Sequence, residues 1–108
     1  MNLSQKKCKP CEGGVEPFDR ERCAEYLSLV PGWRLSEDGV SILKQYKFKN
    51  FKEALAFVNS VGVVAEEEGH HPDISFTWGK VEIRLSTHSI GGISENDFIL
   101  AFKIDHMK

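Results

Sequence analysis

Three of the four histidines in this chain stand at the ends of regular segments, His70 and His71 side by side and His88 further on. Histidine has an unperturbed pKa of about 6.5, so it can both accept and donate a proton near neutrality. Brought together, His70, His71 and His88 would form an acid/base pocket; taken singly, each reads as a turn or surface residue. Two or three imidazoles could also hold zinc. Adjacent His70 and His71, however, point to opposite sides of an extended backbone, and no clear extra ligand accompanies them.

Two acids accompany the histidines. Glu66 opens the run Glu66-Glu67-Glu68, which reads as a solvated helix end that opposes the helix dipole but could act on His70. Asp97 is either a cap for first-turn amides or a group that orients a nearby histidine. Gly91-Gly92 suits a tight turn or a ligand cradle, without the glycine pattern of a phosphate-binding loop. Cys8 and Cys11 form a lone C-x-x-C, lacking the second pair of a structural zinc site and the helical context of a redox motif. Cys23 reads as a small core residue. No Ser-His-Asp order and no cysteine in a structured catalytic setting stands out, which disfavours nucleophilic catalysis.

The elements that must position these residues follow from periodicity. Residues 1–17, with two prolines and paired glycines, read as an extended or mobile arm preceding a single domain over 18–108. Cys23, Tyr26, Leu27 and Val30 make one helical face between Asp19 and Val30, which Pro31-Gly32 stops. Trp33 to Leu35 and Val40 to Phe48 read as a hairpin whose period-two face, Val40, Ile42, Tyr46 and Phe48, is broken by Lys44. Asn50 caps a long helix over Phe51 to Glu68. Asp73 to Trp78 and Val81 to Thr87 alternate as two strands about a Gly79-Lys80 turn, and Ser94-Glu95-Asn96-Asp97 opens a helix to about His106. The order αββαββα predicts an α+β fold: a four-stranded antiparallel sheet with helices on one face, the other free for water or a partner subunit.

The 108 residues carry 14 Lys+Arg and 16 Asp+Glu, a net charge of −2, which gives no electrostatic footprint for nucleic acid. No apolar run approaches the roughly 20 residues of a membrane span, and none follows the basic N-terminus as in a secretory signal. A cytoplasmic protein with reduced thiols is expected, and a core this small makes self-association the natural supplement to stability.

Taken together, Glu66-x-x-x-His70-His71-Pro72-Asp73, Trp78-Gly79-Lys80-Val81 and the run Thr87-His88-Ser89-Ile90-Gly91-Gly92-Ile93-Ser94-Glu95-Asn96-Asp97 closely resemble the pterin-4a-carbinolamine dehydratase family. Trp33 and Phe48-x-x-Phe51-x-x-Ala54-x-x-Phe57 fit as well, and Cys8-x-x-Cys11-Glu12-Gly13-Gly14 looks like the arm of bacterial members. Gly69 stands where a larger polar residue is common, and Ile74 where animal members have tryptophan.

The resemblance implies loss of water from a 4a-hydroxy-tetrahydropterin to give the quinonoid dihydropterin, as in tetrahydropterin recycling, without metal or organic cofactor. It implies that His70 and His88 form the acid/base pair and that His71 binds and orients the ring. Pro72, Thr87, Ser89 and Ile90 would complete the pterin pocket, with Glu66 and Asp97 orienting the histidines. A homodimer or homotetramer is implied too. The alternatives are a non-catalytic dimerisation or coactivator-type scaffold, a role in molybdopterin metabolism, and a metal-binding sensor.

Overall fold

Asp19 and Asn50 each precede a helix, and each side chain accepts a bond from a first-turn amide, Arg22 N–H and Glu53 N–H, both at 2.9 Å. A computed structural model describes residues 3–9 and 16–107. In it these caps open α1 (Arg20–Leu27) and α2 (Phe51–Glu68). A full capping box between Ser94 and Asp97 opens α3 (Glu95–Asp105). α2 ends at Gly69, whose left-handed backbone (φ 66°) lets its N–H bond back to the Ala65 and Glu66 carbonyls.

Four strands, β1 (Arg34–Leu35), β2 (Ile42–Lys47), β3 (Asp73–Thr77) and β4 (Lys80–Leu85), form one antiparallel sheet in the order β1-β2-β4-β3. Ile42 faces Leu85, Tyr46 faces Val81, and Ile74 and Phe76 face Ile83 and Val81. Cross-strand partners share a face, so this register gathers the apolar side chains under the helices, where Ile42, Val81, Ile83 and Leu85 are fully buried. The opposite face carries Gln45, Glu82 and Ser75 in one row and Arg34, Leu43, Arg84 and Asp73 in another. The architecture is thus the expected αββαββα, with 3-10 turns added at Leu3–Gln5 and His88–Ile90.

Two local expectations shift. Lys44 does not break the covered face: its ammonium lies over the Tyr46 ring, 5.0 Å from the centroid, and reaches Asp105 Oδ1 at 3.0 Å. The β3–β4 turn is Trp78-Gly79 rather than Gly79-Lys80, because Lys80 already pairs with Thr77. Glycine is required in that turn: Phe48 N–H bonds to the Gly79 carbonyl at 2.8 Å, and a Cβ on Gly79 would stand 2.8 Å from the Phe48 carbonyl oxygen.

Residues 3–9, read from sequence as part of the arm, are held against the fold. Leu3 is 3% exposed and joins the core cluster; a fully buried leucine is worth about 1.5–3 kcal/mol before the cost of ordering the segment. Lys6 pairs with Glu95 at 3.0 Å, and Cys8 N–H bonds to Glu68 at 2.9 Å. Pro10 to Val15, with Cys11, lie outside the described residues. Among the described residues no helix is long and apolar enough to cross a membrane.

Candidate active site

The left-handed stop at Gly69 turns the chain off α2 and delivers His70 beside the start of α3. There the His70 imidazole, with 12% of its side chain exposed, places Nε2 2.5 Å from Asp97 Oδ1. Asp97 is wholly buried, and its second oxygen accepts from Thr87 O–H at 2.9 Å and from Ser94 N–H at 3.0 Å. The Thr87 and Ser94 hydroxyls bond to each other at 2.7 Å. Burying a carboxylate costs several kcal/mol unless its lone pairs are met, and here donors from three segments meet them. The two sequence readings of Asp97, cap and histidine partner, are therefore both realised, one through each oxygen. A carboxylate only accepts, so Nε2 carries the proton and Nδ1 of His70 is left as the basic nitrogen.

His71 is different. Its Nε2 lies 3.2 Å from Glu66 Oε1 with 61% and 80% of the two side chains exposed, a contact worth little on its own. His88 is exposed and opens the 3-10 turn His88–Ile90. That turn is fixed by Gly91 (φ 68°) and by the backbone pairing of Thr87 with Gly92, whose N–H and C=O contacts are 2.7 and 3.4 Å long. A side chain at Gly92 would collide with Pro17, 2.6 Å from the Cβ position.

A cleft of about 280 Å³ is lined by all three of these histidines together with Thr87 and Ser89. Lys9, Gly69, Ser86 and Asn96 complete its wall. Glu66 and Asp97 stand behind the histidines rather than in the lining, and Pro72 and Ile90 do not line it. Ile74 packs on the core, away from the cleft. Sequence reasoning missed Lys9, Ser86 and Asn96. Asn96 adjoins Asp97 and could have been flagged by that, whereas nothing in the arm's composition marks Lys9.

The acidic end of α2 is only partly solvated. Glu66 and Glu67 are exposed, but Glu68 keeps 7% of its side chain exposed and bonds to Lys103 Nζ at 2.8 Å as well as to Cys8 N–H. Burial works against its ionisation, but the Lys103 and Cys8 bonds outweigh that and hold its pKa below the ordinary glutamate value. The Cys8 thiol, by contrast, is pushed up to about 12 by burial and then by the Glu68 charge, and it donates to the Asn96 carbonyl at 3.5 Å. In this position Cys8 is a neutral thiol near neutrality, which makes it a poor nucleophile. Cys23 is fully buried, where a small core residue was expected. Among the described residues no three His, Cys, Asp or Glu side chains are disposed to hold a metal ion.

A larger cleft, about 530 Å³, lies elsewhere, lined in part by Lys44, Tyr46, Phe57, Ser60 and Asp105. Asp105 there accepts from Trp33 Nε1–H at 2.8 Å, Tyr46 O–H at 2.7 Å and Lys44 Nζ. The fourth histidine, His106, stacks on Phe102 at 4.0 Å at the end of α3 and belongs to neither group.

The profile of a family described as pterin 4 alpha carbinolamine dehydratase matches residues 16–107. A Halorhodospira halophila protein named provisionally as a pterin-4-alpha-carbinolamine dehydratase is 51% identical over 105 residues, 97% of this chain and 96% of that one. A Rubrobacter xylanophilus protein with the same provisional name is 45% identical over 105 residues, 97% of each chain. Among solved structures, a transcriptional coactivator/pterin dehydratase from Brucella melitensis is similar with a TM-score of 0.78 and 29% identity, covering 83% of this chain and 96% of that one. A pterin dehydratase-like protein identified as a RuBisCO assembly factor in the alpha-carboxysome is similar with a TM-score of 0.59 and 25% identity, covering 68% and 86%.

Proposed function

The chain belongs to the pterin-4a-carbinolamine dehydratase family, and from that premise we propose that it dehydrates a 4a-hydroxy-tetrahydropterin by histidine acid/base catalysis, in the recycling of tetrahydropterins in the cytoplasm. The observation that carries this reading is the buried Asp97, which holds His70 through one oxygen while His71 and His88 line the same cleft. In the reaction the bond from C4a to its hydroxyl breaks, the adjacent ring nitrogen gives up its proton, and a carbon–nitrogen double bond forms. Water leaves, and nothing is oxidised or reduced.

One imidazole must take the ring proton while another protonates the departing hydroxyl, the two-sided transfer for which histidine is suited near neutrality. His70 and His88 are assigned that pair, with His71 binding and orienting the ring. Asp97 is a positioning residue that fixes the tautomer of His70, and Glu66 is a lesser one that biases the orientation of His71 through an exposed contact. Thr87 and Ser89 supply hydroxyls on the wall. The working species is a homodimer or a dimer of dimers. Supporting association, Phe51, Leu55 and Val63 on α2 are 47%, 39% and 60% exposed.

The test is the decay of freshly generated 4a-hydroxy-tetrahydropterin, followed by absorbance. Wild-type protein is expected to accelerate it with chelator present, and His70→Ala or His88→Ala to lose roughly 10²–10⁴-fold. A wild-type rate no faster than the spontaneous one would exclude catalysis. That result would favour the second reading, a non-catalytic partner-binding role, to which the coactivator and assembly-factor titles of the structural relatives and the exposed α2 stripe lend support.

A further inference from the structure

Every charge-bearing side chain in the lining of the histidine cleft is a base: Lys9, His70, His71 and His88, with no Asp or Glu among the described lining residues. His70 and His71 already have carboxylate partners behind the lining, Asp97 and Glu66, so the permanent positive charge of this wall is that of Lys9. The lysine, moreover, is held in place. The Asn96 carboxamide clamps its peptide from both sides, accepting from Lys9 N–H at 3.0 Å and donating to the Lys9 carbonyl at 2.6 Å. Asn96 is itself 7% exposed, so the clamp is fixed to α3 next to Asp97. The bonds from Lys6 to Glu95 and from Cys8 N–H to Glu68 secure the preceding residues.

The Lys9 side chain is exposed and, unlike Lys6 and Lys103, makes no ion pair among the described residues. Glu95, whose carboxylate feels the Lys9 charge, is already bonded to Lys6 and to Tyr26 O–H. At about 280 Å³ the cleft is near the lower end of ligand-site volumes, roughly 300–1,000 Å³. A space of that size is on the scale of a ring system alone, and Lys9 is an exposed member of its wall.

We propose that Lys9 is a specificity-determining residue of this cleft, selecting pterins whose side chain ends in an anion such as a phosphate ester over those with a neutral side chain. The inference rests on the dehydratase reading for its kinetic form and on the cleft alone for its binding form. Fixing the backbone of Lys9 leaves only side-chain freedom to be lost on binding, which favours a charge-assisted contact over a floating surface lysine.

The experiment uses the full chain with a matched pair of probes, a pterin bearing a trihydroxypropyl side chain and the same pterin esterified at the chain end with phosphate. Dehydration of their 4a-hydroxy-tetrahydro forms gives the kcat/KM ratio of ester to neutral probe. Fluorescence quenching of the oxidised forms gives the ratio of affinities. Wild type is expected to favour the ester roughly three- to tenfold at low ionic strength, less in added salt. Lys9→Ala brings the ratio to about one, Lys9→Arg retains it, and Lys9→Glu inverts it. The clamp uses only the backbone of Lys9, so these variants keep it, and far-UV circular dichroism checks the fold. Equal ratios in wild type and Lys9→Ala overturn the proposal while leaving the dehydratase reading intact. If wild type accelerates neither probe, the dehydratase reading fails and the affinity ratio alone decides the role of Lys9.

Discussion

Asp97 in the first turn of α3 and Asp105 in its last are built alike: each is a shielded carboxylate taking bonds from three other segments or residues. Their partners differ. The helix dipole favours a negative charge at Asp97 and opposes one at Asp105, so Asp105 is offset by the Lys44 ammonium and two neutral donors. Of those donors, the Tyr46 phenol is pushed well above its ordinary range by burial and then by the Asp105 bond. At Asp97 one donor is an imidazole, the group that exchanges a proton near neutrality. The same device therefore makes a staple at one end of α3 and, on the reading proposed above, a catalytic support at the other. Cleft size does not separate them, since the larger cleft is the one beside Asp105.

Conservative amide substitutions at the two ends test this contrast most strongly. Asp97→Asn is expected to lower kcat about 10- to 100-fold with little change in KM, and to alter the pH–rate profile, because His70 loses the partner that fixes its tautomer. Asp105→Asn is expected to leave turnover near wild type. Equal kinetic losses at both positions would mean that Asp97 acts only through the fold. In thermal or denaturant unfolding each substitution should cost about 1–3 kcal/mol, from weakened bonds to buried donors. For Asp105 that stability loss is the whole effect.

A smaller effect concerns the segment leading to Lys9. Glu68 has a folded pKa below its unfolded one, so its contribution is present above the ordinary glutamate value, about 4.3, and is lost as pH falls through the lower folded value. Acid should therefore release residues 3–9 before the sheet, seen as faster hydrogen exchange at the Cys8 amide, and Glu68→Gln should reduce that pH dependence, leaving the part due to the Glu95 bond to Lys6. A Cys8 amide that exchanges in step with β4 at all pH values would contradict it. Smallest in consequence for the fold is the thiol itself: with Cys8 pushed up to about 12, alkylation at pH 8 should be orders of magnitude slower than in the unfolded chain. Full unfolded-state reactivity in the native protein would show the segment detached.

Much of the scaffold was legible because its causes are local. Asn50 and the Ser94 capping box act within one turn, and the alternation of Ile74 with Phe76 and of Val81, Ile83 and Leu85 needs only the pleat of a strand. The displaced β3–β4 turn was not legible, since what demands glycine at position 79 is the distant Phe48 carbonyl. Lys44 looked like a fault in a strand because its partner, Asp105, is 61 residues away. Glu68 looked solvated because Lys103 and Cys8 arrive from two other segments.

The same division runs through the site. Sequence by itself determined which side chains were available for chemistry, the three histidines with Glu66 and Asp97, and which helices and strands would carry them, because residue type and periodicity are properties of neighbours along the chain. Tertiary structure decided that Asp97 holds His70 rather than only capping α3, that His71 stays at the surface with Glu66, and that Lys9 and Asn96 share the cleft wall. Those are contacts between segments brought together only by burial of a common core, and a hydrogen bond has no signature in the chain until folding supplies its second half.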